Sequence, residues 1–236
     1  MAGVPVRSIA GFEHIGRPSF DEPKQVQRAG DRCYMTPNGD VYPSVTTVTG
    51  HEKNLFFAEW RKNNPLEAAR VASRGTILHS IVEHYVGNQW DGSCEPDEAT
   101  AVENFRVAFD LFTRMKPLLD NHLDRIRAQE VGLYSDTLKL SGRTDCVADW
   151  DGVPSIVDFK GSTRSKRKAD IDNYFTQCAA YALMWQERTG EAVPNVVVVL
   201  SAEDGMTNVF TERTMDWVLP LKKAIDNYAI IASRRS

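Results

Sequence analysis

The sequence predicts an α/β fold, a central mixed β-sheet flanked by helices. The predicted elements run in the order helices, three strands, a helix, two strands and a closing helix, which is typical of such domains. Residues 195–200 form a continuous run of Val and Leu after one Asn, as expected of a strand covered on both faces. A hydrophobic fraction of 42% and a charged fraction of 25% in 236 residues are those of one globular domain with a sizeable core.

The N-terminal region is predicted to hold an arm and a small hairpin. Residues 1–30 lack periodicity and mix Pro, Gly and charge, so we expect an N-terminal arm or extension. Residues 31–236 are then expected to form a single domain. The Asn38-Gly39 turn predicts a hairpin over residues 32–42. The run over residues 44–50 is rich in β-branched and hydroxyl side chains, which favour strands.

Three helices are predicted next. A short helix is expected over residues 55–63, and a longer one opens at Pro65 and runs to about residue 86. Residues 99–119 carry a strong apolar stripe and belong to a helical insertion at about residues 97–127, in which Pro117 is expected to kink or end the helix.

The C-terminal half is predicted to supply most of the sheet. A strand over residues 130–134 precedes two strands that meet at an Asp151-Gly152 turn, a dipeptide that tolerates positive φ. A helix follows over residues 170–188. A further strand is expected at residues 206–211, beside the Val run, before an amphipathic closing helix over residues 214–232.

The hairpin around the Asp151-Gly152 turn carries the most chemistry. Asp145 stands on its first strand, and Asp158 and Lys160 stand on its second strand, two residues apart and therefore on one face. Two carboxylates and an ammonium beside a Val/Ile-rich core are costly to bury unless a cation compensates them. A divalent metal with a nearby lysine is suited to the hydrolysis of phosphodiesters.

Three further motifs accompany this constellation, in a fixed order. They are Gly75-Thr-x-x-His79, Gln177-x-x-x-Tyr181 and Pro43-Ser-Val-Thr-Thr-Val. Together with Asp145 and Asp158-x-Lys160, they resemble the motifs of the PD-(D/E)XK nuclease superfamily. The resemblance is strongest to its RecB-like exonuclease branch, which includes mitochondrial genome maintenance exonucleases and their phage relatives. The resemblance covers roughly residues 42–185. It departs from the pattern in that the hairpin proline, Pro154, lies four positions before Asp158.

The resemblance implies a restriction-endonuclease-like core and a metal centre. It assigns the metal to His79, Asp145, Asp158 and the main-chain carbonyl of Phe159, and assigns Lys160 to catalysis together with His79 and the two aspartates. Carboxylate oxygens suit Mg²⁺ or Mn²⁺, and the imidazole is better tolerated by Mn²⁺. One or two ions are expected.

Two acidic residues near this set are left open by the sequence. Glu83 lies one turn beyond His79, and Glu130 begins the strand before Asp145. Each is a candidate for a second metal or for contact with a metal ligand, and each is equally a solvent-facing charge. His79 itself, without the neighbouring motifs, would be an ordinary helix histidine.

DNA contacts are predicted in several places. The candidates are Gln177, Tyr181, Ser44, Thr46, Thr47, Arg74, Lys166 and Arg167. The resemblance implies that Gln177 and Tyr181 approach the scissile phosphate, and hydroxyl groups of the segment over residues 44–47 are suited to phosphate. Each group has a structural alternative. Gln177 and Tyr181 would pack a helix on the sheet, residues 44–47 would be only β-prone, and the basic run around Lys166 would be a solvated loop.

The expected function is therefore a metal-dependent deoxyribonuclease, an exonuclease on DNA ends or single strands in phage or bacterial recombination, repair or degradation. The alternatives are a structure-selective endonuclease and a non-catalytic DNA-binding scaffold on the same fold. A recombination or repair protein is a possible partner. The residues do not indicate digestion polarity, strand preference, DNA over RNA, or oligomeric state.

Composition excludes other classes. The net charge of −4 gives no global basic field. The sequence contains neither an apolar run of membrane-spanning length nor a signal-peptide core, so no membrane association and a cytoplasmic location, in the host cytoplasm if viral, are expected. The four cysteines are scattered without the close spacing of an iron–sulfur or zinc site. No iron–sulfur cluster is expected, which disfavours CRISPR spacer-acquisition nucleases of this fold.

Overall fold

The central layer is a five-stranded mixed sheet. A computed structural model describes residues 11–28, 30–90 and 99–233. The strands, in spatial order, are β4 (Leu123–Ser135), β5 (Leu140–Trp150), β6 (Val153–Ser162), β7 (Asn195–Ala202) and β8 (Thr207–Arg213). Of their four pairings only β6 with β7 is parallel. The predicted α/β class with a mixed central sheet is confirmed.

Helices cover both faces of this sheet. They are α1 (Val45–Thr49), α2 (His51–Asn63), α3 (Pro65–Val86), α4 (Ala99–His122), α5 (Asp172–Thr189) and α6 (Val218–Ser233), with short 3-10 turns at Lys168–Asp170 and Thr214–Trp217. A small antiparallel sheet of β1 (Lys24–Arg28), β2 (Asp31–Met35) and β3 (Val41–Pro43) lies to one side. None of the described helices is both long and apolar enough to cross a bilayer.

The Val run of β7 divides the core into two halves. Val196, Val198 and Leu200 pack with α5 and α6 on one face of the sheet. Val197 and Val199 pack with α3 and α4 on the other face. All five side chains are fully buried, which confirms the predicted central strand covered on both faces.

The N-terminal region is better integrated than predicted. Residues 24–28 form β1 and pair with β2, so a boundary at residue 30 would divide a sheet. Glu22 accepts a hydrogen bond from the backbone N–H of Gly132 at 2.8 Å, and Phe20 packs edge-on against Trp185. These contacts attach residues 20–28 to the main core. Residues 1–10 of the predicted arm lie outside the described residues.

One other predicted boundary was wrong, and the β-prone segment after Pro43 is not a strand. The helical insertion ends at His122, because residues 123–127 already belong to β4, and Pro117 lies inside α4 without ending it. The β-prone segment after Pro43 forms the short helix α1. Its N-cap is Ser44, whose side chain accepts a hydrogen bond from the N–H of Thr47 at 3.1 Å. This cap satisfies a donor that a strand would have paired elsewhere.

The cap at Ser44 is testable because its side chain is 1% exposed. Ser44→Ala is expected to lower the free energy of unfolding by about 1 kcal/mol, the usual cost of losing a helix cap. Ser44→Thr keeps the hydroxyl and is expected to lose clearly less. Urea unfolding followed by circular dichroism measures both variants. Equal stability of Ser44→Ala and the parent chain would show that the hydroxyl has no capping role.

Candidate active site

The site lies where β5 and β6 stop pairing. Their ladder runs from Trp150–Val153 to Cys146–Val157 and ends there. Beyond it β5 remains paired with β4, and β6 remains paired with β7. Asp145 and Asp158 are the next residues on the two strands, and the backbone N–H of Phe159 donates to Asp145 Oδ2 at 2.9 Å. The two predicted aspartates therefore stand side by side at the opening between the strands.

Asp158 is the most buried charge of the site, at 2% exposure. Its Oδ1 accepts a hydrogen bond from Lys160 Nζ at 2.6 Å and a longer one from Gln177 Nε2 at 3.4 Å. Its Oδ2 is buried and has no hydrogen-bond partner among the described residues. Burial raises the pKa of Asp158 to about 6, although the attraction of Lys160 opposes the shift. One carboxylate oxygen is therefore left without compensation.

Lys160 remains an ammonium in this setting. Burial alone would lower its pKa, but the attraction of Asp158 and then of Asp145 outweighs burial and raises the pKa of Lys160 above its ordinary value. The charged side chain is held by Asp158 and lies over the ring of Tyr174, with Nζ 5.3 Å from the ring centroid. Lys160 can therefore donate hydrogen bonds and stabilise negative charge, but it is a poor proton acceptor.

A second group of donors lies beside Asp145. His79, on α3, places Nδ1 at 3.4 Å from Asp145 Oδ2 and 4.0 Å from Glu130 Oε1. One potential ligand atom from each of His79, Glu130 and Asp145 lies within 4.8 Å of the other two. The neighbouring α3 residue Leu78 is fully buried, which fixes the helix against the sheet. The structure thus brings the predicted histidine to the predicted aspartate.

Glu130 reaches this group through an irregularity in β4. Its φ is +45°, which is unusual for a glutamate. Ala128 and Val131 pack in the same core although they are three residues apart, whereas a regular strand would place them on opposite faces. The register places Glu130 opposite Asp145, because the flanking residues pair Gln129 with Cys146 and Val131 with Thr144. Burial and then the charge of Asp145 raise the pKa of Glu130 to about 7.

This donor set fits a divalent cation. It offers one imidazole nitrogen and several carboxylate oxygens, the ligands preferred by ions such as Mg²⁺ and Mn²⁺. The unpartnered Oδ2 of Asp158 and the raised pKa of Glu130 both show negative charge in need of compensation. The carbonyl of Phe159 as a ligand stays a prediction.

Comparison with known proteins agrees with this geometry. The sequence matches the family model of the PD-(D/E)XK nuclease superfamily over residues 52–216, more than half of the chain. The chain belongs to that superfamily. Nucleases of this superfamily hydrolyse phosphodiester bonds with the help of divalent metal ions.

One solved structure resembles part of the chain. It is the crystal structure of a protein named "Putative exonuclease" from Eubacterium rectale, with a TM-score of 0.46 and 17% sequence identity. The match covers 67% of this chain and 66% of that one, so the chain matches slightly less than two thirds of its neighbour's length. No protein in a curated set matches the sequence.

The two residues of the predicted Gln-x-x-x-Tyr motif have different surroundings. Gln177, on α5, contacts Asp158 and lines the cavity next to Lys160, and its contact with DNA stays a prediction. Tyr181 is 2% exposed and lies against Gly142, where even a methyl group would come within 3.0 Å of its hydroxyl. The burial corrects the predicted DNA contact of Tyr181, because this side chain packs α5 onto β5.

Arg74 was also predicted to contact DNA, and its position contradicts this. Its side chain is 2% exposed and forms an ion pair with Glu203, which also pairs with Arg70. Gly161 lies close under the helices α3 and α4, since an added methyl group there would lie 3.1 Å from Leu78 Cδ2 and 3.2 Å from Leu111 Cδ1. Arg74 therefore anchors α3 beneath the site and does not reach a surface.

The other predicted contacts lie at different distances from the centre. Thr46 and Lys166 line a cavity of about 730 Å³ that opens at Lys160. Ser44 caps α1 and is buried, and Thr47 bonds to the Ser44 hydroxyl at 2.8 Å.

Two more candidates are exposed charges. Arg167 is exposed and paired with Asp170. Glu83 is exposed and does not join the group of His79, Glu130 and Asp145, although its charge adds to the raised pKa of Glu130.

Sequence reasoning missed several residues of that cavity. Thr49, Lys53 and Tyr174 line it together with Lys160. Tyr174 precedes Gln177 by three positions on α5, and this spacing on one helix face was a usable signal. Lys53 and Phe57 come from α2, whose approach to α5 no local pattern indicates.

The raised pKa of Glu130 predicts a pH-dependent stability. Because the folded-state pKa lies near 7 and the ordinary value is 4.5, this group stabilises the fold below pH 4.5 and loses that contribution as pH rises to about 7. In EDTA, Glu130→Gln is expected to unfold with a free energy about 3 kcal/mol higher than the parent chain at pH 8. The difference should nearly vanish at pH 4.5. Thermal unfolding at both values measures it, and no difference at pH 8 contradicts the assignment.

The ion pair of Arg74 predicts asymmetric stability effects. Glu203→Gln leaves the buried guanidinium without its carboxylate and is expected to cost about 3 kcal/mol. Arg74→Met removes the buried charge and should cost less, while leaving affinity for single-stranded DNA unchanged. Urea unfolding and fluorescence anisotropy measure the two quantities. Loss of DNA affinity in Arg74→Met, with the fold intact, would restore its predicted role in binding.

Proposed function

We propose that this protein is a metal-dependent deoxyribonuclease, an exonuclease that acts on DNA ends or single-stranded DNA in phage or bacterial recombination, repair or degradation. One observation carries the proposal. Asp145, Asp158 and Lys160 meet at the end of the β5–β6 ladder, and one oxygen of Asp158 is buried without a partner among the described residues. Such an oxygen is suited to an ion that also engages a phosphodiester.

The metal is proposed to be Mg²⁺ or Mn²⁺, held by Asp145, Asp158 and His79. The short distance between His79 and the Asp145 carboxylate supports a shared ion, and the imidazole favours Mn²⁺. Glu130 is proposed as a further ligand, directly or through water, because it lies in the same group. When bound, such an ion polarises the scissile phosphate and lowers the pKa of a water molecule.

Lys160 is proposed to act on the scissile phosphate and on the attacking water. Its ammonium is held by Asp158 at 2.6 Å. Because the side chain is already ordered, binding of the phosphate costs little further conformational entropy. The charge remains in place as negative charge grows on the phosphate oxygens. Gln177 supports the arrangement, because its amide donates to the same oxygen of Asp158 that holds Lys160.

Contacts with the flanking phosphates are proposed for Thr46 and Lys166. Both lie in the cavity that begins at Lys160, and Lys166 has no ion-pair partner among the described residues. Hydroxyl and ammonium groups position a nucleic-acid backbone without reading its sequence. Arg167 is exposed in the adjacent turn and is proposed to add charge at the rim of the cavity.

An exonuclease and a structure-selective endonuclease differ in their need for an end. With Mn²⁺, the protein is expected to degrade linear single-stranded DNA to short products and to leave closed circular single-stranded DNA intact. Gel analysis of both substrates at equal nucleotide concentration measures this. Cutting of the closed circle at a rate similar to that of the linear substrate would indicate an endonuclease instead.

The catalytic role of the cluster is testable with matched variants. Asp158→Asn and Lys160→Met are each expected to lower the cleavage rate at least about 100-fold, because each removes charge at the reacting phosphate. Lys168→Met is the control, since Lys168 pairs with Glu212 away from the cluster. Rates are measured with a labelled oligonucleotide and Mg²⁺ or Mn²⁺, after thermal unfolding has confirmed the fold of each variant.

The outcomes separate the candidate activities. Robust cleavage by both Asp158→Asn and Lys160→Met would exclude this cluster as the active site. Absence of cleavage by the parent chain, together with no Mn²⁺ binding in calorimetry, would favour a non-catalytic scaffold on the nuclease fold.

A further inference from the structure

A groove leads away from the candidate active site. Its first part is the cavity of about 730 Å³ that contains Lys160 and Gln177. Its second part is a cavity of about 400 Å³ between α1, the start of α5 and α6. The two cavities share Thr49, Lys53 and Asn173, so they adjoin. We call this continuous space the α2–α6 groove.

Lysines occur along the whole length of the α2–α6 groove. Lys160 and Lys166 lie in its first part, Lys53 lies at the junction, and Lys223 lies in its second part on α6. Lys53 Nζ donates to the backbone oxygen of Asp170 at 2.9 Å and to the Asn173 side chain at 2.6 Å. Both acceptors are uncharged, so the positive charge of Lys53 is not neutralised by these contacts.

The charges of the other two lysines outside the catalytic cluster, Lys166 and Lys223, are not neutralised by an ion pair with a described residue either. Lys166 Nζ donates to the hydroxyl of Tyr174 at 3.2 Å, also an uncharged group. Within the described part of the chain, no ion pair involves Lys53, Lys166 or Lys223. The groove also contains the carboxylates of Asp170, which pairs with Arg167, and of Asp172. A surplus of unpaired positive charge remains along its length.

Aromatic side chains line the same space. Phe57 and Tyr174 line the first part, and Trp217 and Tyr228 line the second part. Aromatic rings beside a row of cations are the combination by which proteins hold unpaired bases and the phosphates between them. A single strand can present its base faces to these rings, whereas in a duplex the base faces are stacked inside the helix.

We infer that the α2–α6 groove binds a single-stranded stretch of nucleic acid on the Lys160 side of the cleaved bond, with Lys53 and Lys223 as phosphate contacts away from the catalytic cluster. This inference rests on the proposed nuclease function, because that function places the cleaved bond at Lys160. The strand then runs from Lys160 past Lys53 to α6. The chemistry that the groove recognises is a flexible polyanion with unpaired bases.

Adjacent lysines on α6 supply a matched test. Lys223 lines the groove, whereas its neighbour Lys222 pairs with Asp226 at 3.0 Å outside it. Affinity for labelled single-stranded DNA and RNA of one sequence is measured by fluorescence anisotropy on the full chain in EDTA, so that binding is separated from cleavage. Lys223→Met is expected to weaken binding of an oligonucleotide of about ten nucleotides about three- to tenfold. Lys222→Met should leave it unchanged.

Two further measurements define the occupant. The slope of log affinity against log salt should fall in magnitude by about 0.7 in Lys223→Met, the value for one lost contact with a single strand. Phe57→Ala should weaken single-stranded binding and leave binding of a blunt duplex unchanged, because only unpaired bases expose their faces. The DNA and RNA probes together show whether the groove discriminates between the two sugars.

The results that would overturn the inference are distinct from failure of the nuclease assay. Equal affinities of Lys223→Met and Lys222→Met for the oligonucleotide of about ten nucleotides would exclude the second part of the groove as a binding site for the strand. Blunt duplex DNA bound with the same dependence on Lys223, or a polyglutamate peptide bound in place of the oligonucleotide, would identify another occupant. Cleavage of DNA by the parent chain can persist in each of these cases.

Discussion

The early separation of β5 from β6 is the constraint on which the rest of the site depends. A continued ladder would bury Asp145 and Asp158 against each other in the sheet, where two carboxylates repel and lose their hydration. Because pairing ends at Cys146 and Val157, Asp145 instead accepts the N–H of Phe159, and Asp158 faces Lys160. Parallel pairing of β6 with β7 continues to Ser162 and keeps the freed half of β6 rigid.

Electrostatic imbalance at this opening explains why the cluster is suited to chemistry. Glu130, Asp145 and Asp158 lie at one level of three adjacent strands, and Lys160 is held within 2.6 Å of only one of them. Burial raises the pKa of both Glu130 and Asp158, so the folded protein tolerates this negative charge poorly without a cation. A fold under selection for stability alone would gain by replacing these carboxylates.

Helix α3 connects the stability of the core to the site. Its buried face places Leu78 and Ile81 on the sheet, and Arg74 fixes its first half through Glu203. His79 projects from the same helix toward Asp145. The helix therefore brings an imidazole to the cluster from outside the sheet, and the packing of α3 determines the distance between imidazole and carboxylate. On the opposite face, α5 carries Gln177 to Asp158 and Tyr181 into the core.

The sequence by itself determined the features that depend on local pattern. The apolar periodicity of α3, the Val run of β7 and the turn at Asp151-Gly152 follow from spacing along the chain. Asp145, Asp158, Lys160 and His79 were selected as candidates by their resemblance to the motifs of a family. Only the tertiary structure decided which neighbours those residues meet. Three features arise from pairing or packing between segments distant in sequence: the positive φ of Glu130, the ion pair of buried Arg74, and the packing of Tyr181 on Gly142. In residues 45–49, the hydrogen bond of the Ser44 cap stabilises a helix although the side chains favour a strand. Periodicity shows which side of an element is apolar, whereas register and strand irregularities depend on the partner element. For this reason only the three-dimensional structure shows which of the predicted site residues are exposed and which are buried.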